Sequence, residues 1–465
     1  MDQLHQEAVK TIAEKVRSFF DVRQPFKVYH GSTNSTRIQD WRADRVVDVS
    51  SLNRVLSIDA EAMTAVVEPN VPMDQLVDAT LKYGLVPPVV MEFPGITVGG
   101  GLQGGAGESS SFKWGCFNRT LNWFEVVLAD GTMVVASPEE RADLFYGSAG
   151  AYGSLGVVTA AELKLVKAPK YVVLEYVSVG SFDEAVREVT AATKKGYDYV
   201  DGIMYAKNLG VIICGRLSDK PAGKVKRCRR ARDQWFYLAV EGAARAGRLK
   251  TDSYPLVDYL FRYDRGAFWT GSYAFQRFGV PFNRLTRFVF NGLLKTRRMY
   301  LALDASGFSQ QYVIQDLALP AESAAEFMDW VDQRLGFYPV WLCPLLPDGD
   351  SPLNCNYLPV EQVVNVGVWG PGPMDAGEFK AINRELEQTV SKLRGRKWLY
   401  ANAYYPKGEF WQIFDLEWYE ELRKTYRAES LPTVYDKTNV AGKPPVTVNA
   451  KRGVWRAVVG SKRLS

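Results

Sequence analysis

Residues 95–115 read GITVGGGLQGGAGESSSFKWG, eight glycines and a run of three serines in one short segment. A glycine held inside a regular element costs about 0.5–1 kcal/mol relative to alanine. A cluster this dense is therefore expected where backbone must come close to a ligand, not where a core is packed. Within it, Gly99-x-Gly101-x-x-Gly104 fits the dinucleotide fingerprint G-x-G-x-x-G, with Asp130 further on at the end of a strand-like run. A Rossmann turn needs an apolar strand directly before the glycines and an amphipathic helix directly after them. Here Pro94 and Gly95 interrupt the upstream side, and AGESSSFKWGCFN downstream lacks apolar residues at i, i+3, i+4 and i+7. The Rossmann reading is set aside and the ligand reading is kept.

The 465-residue chain exceeds the size at which one core usually stops growing, so two domains are expected. Five scattered cysteines, Cys116, Cys214, Cys228, Cys343 and Cys355, never spaced C-x-x-C, argue for reduced thiols and against zinc or a disulfide framework. Only His5 and His30 are present. A histidine triad or a multi-histidine metal site thus has almost nothing to build on, and no metal is expected. Proton transfer falls to Tyr, Lys, Glu, Asp or Cys. The N-terminal MDQLHQEAVKTIAEKVRSFF reads as a surface helix without an apolar signal core, and no window reaches 18 uncharged apolar residues. The net charge of +5 is unevenly placed: seven basic residues and no acid in 220–232, and six basic residues among Phe, Leu and Val in 277–298. These segments read either as solvated faces or as contacts for an anionic membrane surface or a cofactor phosphate. No recognition motif accompanies the charge, so nucleic acid is not expected.

From Phe26 to Gly156 short β-rich runs (PFKVYHG, RVVDVS, TAVVEP, LVPPVV, FEVVLADG, TMVVAS) alternate with turn clusters, as in a small α/β domain. Met73, Leu76, Val77 and Leu81 share one helical face, with Pro72 suited to its start and Gly84 to its stop. Ala129-Asp130-Gly131 between two valine-rich runs predicts a hairpin. After Val166 longer helical patterns such as SFDEAVREVTAATKKG and SAAEFMDWVDQRLG alternate with strands such as YVVLEYVSV and QQYVIQDLALP, a second α+β domain. No internal repeat or low-complexity linker is found.

Taken in order, HGSTNST, AVVEPNV, ITVGGGLQGGAGESSS, KWGCF, EVVLADG, DLFY and GSLGVVTAAELKL resemble the FAD-binding domain of the vanillyl-alcohol oxidase and p-cresol methylhydroxylase (PCMH) superfamily. ESSSFKWG, PVWLCP, LYANAYYPKGEFWQIFD and VYDK resemble its 24-dehydrocholesterol reductase (Diminuto) branch, over most of the chain. The resemblance implies an α+β, two-domain PCMH-type flavoprotein: an FAD-binding domain over residues 1–166, an α+β substrate or cap domain over 167–434, and a C-terminal segment, 435–465, returning to the FAD domain. Gly31, Ser32, Thr33, Asn34 and Ser35 follow the strand FKVY, where N–H groups and hydroxyls can nest a pyrophosphate. Thr97, Val98, Gly99, Gly100, Gly101, Gly104, Gly107, Glu108, Ser109 and Ser110 are expected along the ribityl chain and pyrophosphate, and Gly153, Gly156, Val157 and Val158 against the cofactor as well. Many superfamily members tether FAD to a histidine where this chain has Asn34, so non-covalent FAD is expected. Cys116 lies where some relatives carry a cysteine tether, but small buried cysteine is the commoner role. The membrane-anchoring N-terminal segment of the sterol reductases is missing, so a cytoplasmic protein, or one peripheral on an intracellular membrane, is expected in place of an integral one.

The resemblance further implies hydride chemistry at the flavin, with NADPH as electron donor and an apolar, sterol- or terpenoid-like alkene as substrate. Lys437 of VYDK, Arg262 and Arg265 are candidate cations for charge developing on the flavin. Tyr404, Tyr405 and Glu409 of NAYYPKGEF are the candidate proton donors, with Tyr312 and Asp316 of QQYVIQD behind them. Trp341, Phe410 and Trp411 suit an apolar pocket, and equally an ordinary core. Two alternatives stay open: an FAD oxidase, dehydrogenase or biosynthetic cyclase acting on a natural product, and a non-catalytic lipid-binding protein.

Overall fold

The computed structural model describes residues 2–31, 36–37, 42–247, 251–442 and 447–459. Helix α1 (Gln3–Asp21) opens on Asp2, whose carboxylate accepts the His5 N–H, and buries Val9, Ile12, Val16 and Phe19, the stripe its helical period dictates. Beyond it a short parallel pair, β1 (Lys27–Tyr29) and β2 (Val46–Asp48), leads into a five-stranded antiparallel sheet of β3 (Val55–Asp59), β4 (Thr64–Val67), β5 (Leu121–Val127), β6 (Met133–Ala136) and β7 (Val157–Lys164), in spatial order β3-β4-β7-β5-β6. The β5–β6 hairpin sets Val127 opposite Met133 and turns through Gly131 at φ +83°. The 73–81 pattern forms a helix over Met73–Thr80 that tightens to Tyr83 and stops at left-handed Gly84.

The glycine-rich stretch is not an open loop. Val98–Gly104 forms one short helix, α2, with Thr97 accepting the Gly100 N–H at its start and left-handed Gly105 at its end. Four of its seven residues are glycine, so propensity opposes it and packing must hold it. A Cβ on Gly99 would lie 2.8 Å from the Pro69 side chain, and one on Gly101 would lie 2.6 Å from Met91 and 2.7 Å from Phe117. Only bare backbone fits against those neighbours.

A second sheet of nine strands begins at Tyr171: β8 (Tyr171–Val179), β9 (Tyr199–Ala206), β10 (Leu209–Ser218), β11 (Lys224–Val225), β12 (Thr251–Pro255), β13 (Tyr312–Pro320), β14 (Val340–Leu345), β15 (Val363–Pro371) and β16 (Arg396–Lys397), in order β11-β12-β8-β10-β9-β14-β15-β13-β16. Side chains alternate across it. On β15, Val364, Val366 and Val368 join Phe182, Val189, Phe327, Phe379 and Leu386 of helices α3 (Phe182–Ala192), α7 (Ala321–Arg334) and α8 (Ala376–Lys392) in one core. Trp369, with Trp341 of β14 and Tyr176 of β8, belongs to the other core, continuous with that of the first sheet. The molecule is a two-domain α+β protein whose second sheet is covered on one face by α3, α7 and α8 and on the other by its own residues 236–246 and 256–275 together with the first domain.

Candidate active site

A cavity of about 760 Å³ runs between the two sheets. Its first end is glycine and cation. Thr97, Gly99, Gly100, Gly104, Gly107, Gly153, Gly156, Val157, Val158 and Lys437 all line it, so the structure brings these sequence-predicted residues together. The Gln103 side chain accepts the Gly153 N–H (2.8 Å), and the Lys437 Nζ donates to the Gly153 carbonyl (3.0 Å). Lys27, Arg37 and Lys437 converge here, with the Arg37 guanidinium 4.6 Å from the Tyr152 ring. Burial, then the neighbouring charges of Arg37, Lys27 and Arg423, pull the Lys437 ammonium down to about 7. An ammonium depressed by burial and by the cations beside it is what a diphosphate would relieve, and the bare glycine surfaces nearby leave room for it. The residues fit FAD.

The other end is aromatic. Phe268, Tyr300, Trp341, Trp369 and Tyr400 line it, with Phe268 4.4 Å and Trp341 5.8 Å from Trp369 between ring centroids. Two carboxyl groups face this volume. Asp316 of β13 accepts from the Tyr400 hydroxyl (2.6 Å) and from Asn365 Nδ2 (2.9 Å), and burial raises it to about 6. Glu92 is buried with Oε1 unpartnered among the described residues, and burial followed by repulsion from Glu108 raises it well above the carboxylate range. A group titrating near 6 donates a proton and recovers it at working pH, whereas one raised far higher stays protonated and gives its proton up reluctantly. Asp316 is the better acid.

Several candidates lie elsewhere. Tyr405 is buried against Phe410, and its carbonyl accepts from Asn439 Nδ2 (2.7 Å). Tyr404 donates its N–H to Glu387 (2.8 Å) and sets its ring beside Phe379, while Glu409 pairs with Arg384 (2.6 Å). The physical cause is the buried ion pair Lys397–Glu387 (3.1 Å): Lys397 also donates to the Asn402 carbonyl (2.6 Å), so the chain leaves the cavity after Tyr400. Phe410 and Trp411 pack with each other at 4.9 Å, away from the cavity lining.

Glu108, Ser109 and Ser110 are also turned from the cavity. Glu108 accepts from the Ser109 hydroxyl (2.8 Å), the Ser110 N–H (3.0 Å) and the Ser110 hydroxyl. Ser109 accepts from Arg262 (3.0 Å), which pairs with Asp201 (2.9 Å). Tyr263 and Trp341 donate to the same Asp201 oxygen, and the Val200 N–H donates to the Ser109 carbonyl. The serine run therefore fastens the two domains together. Arg262 is consumed in that network, and Arg265 donates to the carbonyls of Cys228, Ala231 and Asp233. Val98 and Gly101 face the core under α2, and Gly31 turns at φ +71° without reaching the cavity. Ser32, Thr33, Asn34 and Ser35 lie outside the described residues. Cys116 is fully buried, with its thiol pushed far above its ordinary range, and carries no nucleophilic character.

Sequence reasoning missed Lys27, Arg37, Tyr152, Glu92 and Tyr400. Tyr400 precedes the NAYYP run by two residues, and a strand-period reading of β13, which sets Tyr312, Ile314 and Asp316 on one face, was the signal that could have ranked Asp316.

Comparison with known proteins agrees with this site. Residues 6–137 match the family described as FAD binding domain. With its glycine–cation cradle and two-domain fold, the protein is an FAD-dependent oxidoreductase of PCMH type. Delta(24)-sterol reductase of Pisum sativum is 30% identical over 423 residues, covering 82% of this chain and 74% of that protein. The Homo sapiens Delta(24)-sterol reductase is 28% identical over 450 residues, covering 94% and 86%. Cytokinin dehydrogenase 9 of Oryza sativa subsp. japonica is 34% identical over 151 residues, covering 32% of this chain and 29% of that protein. The chain belongs to the Delta(24)-sterol reductase family.

Proposed function

We propose that the protein reduces a carbon–carbon double bond in an apolar, sterol-like or isoprenoid substrate, with NADPH as electron donor and FAD held without a covalent bond. The observation that carries this reading is the pairing, in one aromatic cavity continuous with the glycine–cation cradle, of a half-buried carboxyl raised to about 6 with a tyrosine hydroxyl. When bound, FAD supplies the hydride that one alkene carbon receives; the other carbon needs a proton. Protonated Asp316 supplies it, and Tyr400, bonded to the same carboxyl, fixes its orientation. Phe268, Trp341 and Trp369 enclose the apolar body of the substrate and exclude water. Lys27, Arg37 and Lys437 hold the diphosphate, and α2 offers its bare glycines to the cofactor.

The test is anaerobic. NADPH should bleach the bound flavin, and a sterol or isoprenoid alkene should restore the colour faster than buffer, giving a product two hydrogens heavier. Bleaching by alcohols, with peroxide released on admitting air and no response to alkenes, would replace this reading with an oxidase. Flavin left in the pellet after acid precipitation would refute non-covalent binding.

A further inference from the structure

Two segments, one in the second domain and one in the C-terminal segment packed against it, expose large apolar side chains that an ordinary soluble surface keeps scattered. Helix α5 (Arg284–Val289) buries nothing, leaving Leu285, Phe288 and Val289 70%, 52% and 64% exposed. Helix α11 (Ala450–Val459) is inverted relative to a normal surface helix. It buries its small residues, Gly453 and Ala457, and turns Val454, Trp455, Val458 and Val459 outward. The inversion is built in: Gly453 sits where a Cβ would be 2.8 Å from Ser306 of helix α6 (Thr296–Ser306), and Arg298 of α6 donates to the carbonyls of Ala457 and Val458.

Charge and cavity point the same way. No acid occurs in 277–298 or 450–459, whereas the two segments carry nine basic residues, Arg284, Lys295 and Lys451 among the exposed ones. Arg277, Phe278, Phe290 and Val454 are exposed and also line the cavity, so its aromatic end reaches the surface here. No helix among the described residues is long and apolar enough to cross a membrane.

We propose that α5, α11 and the turns flanking α6 form a docking surface for the anionic leaflet of a lipid bilayer, with the cavity mouth opening into the acyl region. The apolar side chains insert at the headgroup boundary, and the basic residues meet lipid phosphates. A water-insoluble substrate then passes between bilayer and cavity without crossing water. The docking half rests on surface chemistry alone; the delivery half rests on the apolar substrate proposed above.

Flotation of the flavin-loaded protein with phosphatidylcholine vesicles, with and without about a third phosphatidylserine, tests docking in the absence of substrate. Binding to the anionic vesicles, reversed by salt, is expected. Leu285→Asp/Phe288→Asp and Val458→Asp should each weaken it at least tenfold, and Arg284→Glu/Lys295→Glu about fivefold or more per charge. Flavin content and melting temperature should match the parent, since none of these side chains lines the cavity. No flotation on either vesicle, binding indifferent to the substitutions, or a dimer in solution that these substitutions dissociate would each overturn the proposal. Normal flotation without alkene turnover would leave docking standing and remove the proposed reaction.

Discussion

Asp316→Asn should make the protein both more stable and nearly inactive at pH 8. Burial lifts the carboxyl from 3.8 to about 6. At 1.36 kcal/mol per pKa unit, keeping it ionised above pH 6 costs the folded state about 3 kcal/mol. Asparagine removes that cost, but it meets Asn365 Nδ2 and the Tyr400 hydroxyl, both donors, with only one oxygen. Asn365 cannot flip to help, because its own Oδ1 accepts the Leu317 N–H (2.9 Å). One unsatisfied buried donor costs about 1–2 kcal/mol. The balance at pH 8 is a gain of about 1–2 kcal/mol. For a carboxyl raised in the folded state, wild-type stability is greatest below 3.8 and declines as pH rises toward 6, so the gain must vanish and reverse near pH 4. Thermal melts across that range read it directly. In anaerobic stopped flow, alkene-driven return of flavin absorbance should fall 10²–10⁴-fold in the variant. In the wild type the same rate should decline as pH rises through about 6, while bleaching by NADPH stays unchanged. A variant reoxidised within about threefold of wild type, or a stability gain that persists at pH 4, would refute the assignment of Asp316 as the acid.

Cofactor affinity should carry its own pH signature. An anion beside Lys437 restores a proton that burial and cationic neighbours have made loose, so FAD binding should take up a proton near pH 7–8 in calorimetry and weaken as pH rises through about 7. Lys437→Met should flatten that dependence. Gly100→Val and Gly101→Val should separate: Gly100 lines the cavity and its nearest neighbour is Thr97 Oγ1 at 3.2 Å, so valine there should expel flavin with little change in melting temperature. Valine at Gly101 meets Met91 and Phe117 and should destabilise the fold by about 1–3 kcal/mol or more. His5 lies between Glu68 (2.9 Å) and Glu125 (3.3 Å), and their hydrogen bonds outweigh burial to hold its imidazolium up to about 9. The stability it adds is complete below 6.5 and lost as pH rises through 9, and His5→Gln should abolish that loss in urea titrations at pH 6 and 9.5.

The sequence by itself determined the parts that depend on local period and turn chemistry. Helix α1, the 73–81 helix, the Asp130-Gly131 hairpin and the change of texture after Val166 follow from spacings that water and backbone sterics enforce over a few residues. The glycine cluster was legible as a place where side chains are excluded, and the ordered motifs carried it to FAD. Only the tertiary structure decided which atom each glycine makes room for. Gly101 bares backbone to Met91 and Phe117, while Gly100, its immediate neighbour, bares it to the cavity; a one-residue step around a helix turns the face by about 100°. Sequence likewise could not tell that Ser109 bonds Arg262 and not a ligand, because Arg262 lies 153 positions away. The acid depends on long-range burial too. Asp316 and Tyr400 are 84 residues apart and meet because β13 and β16 pair in one sheet, and burial among the residues that pairing gathers raises the carboxyl. Propensity and periodicity are properties of short segments; a pKa is a property of everything packed around the group.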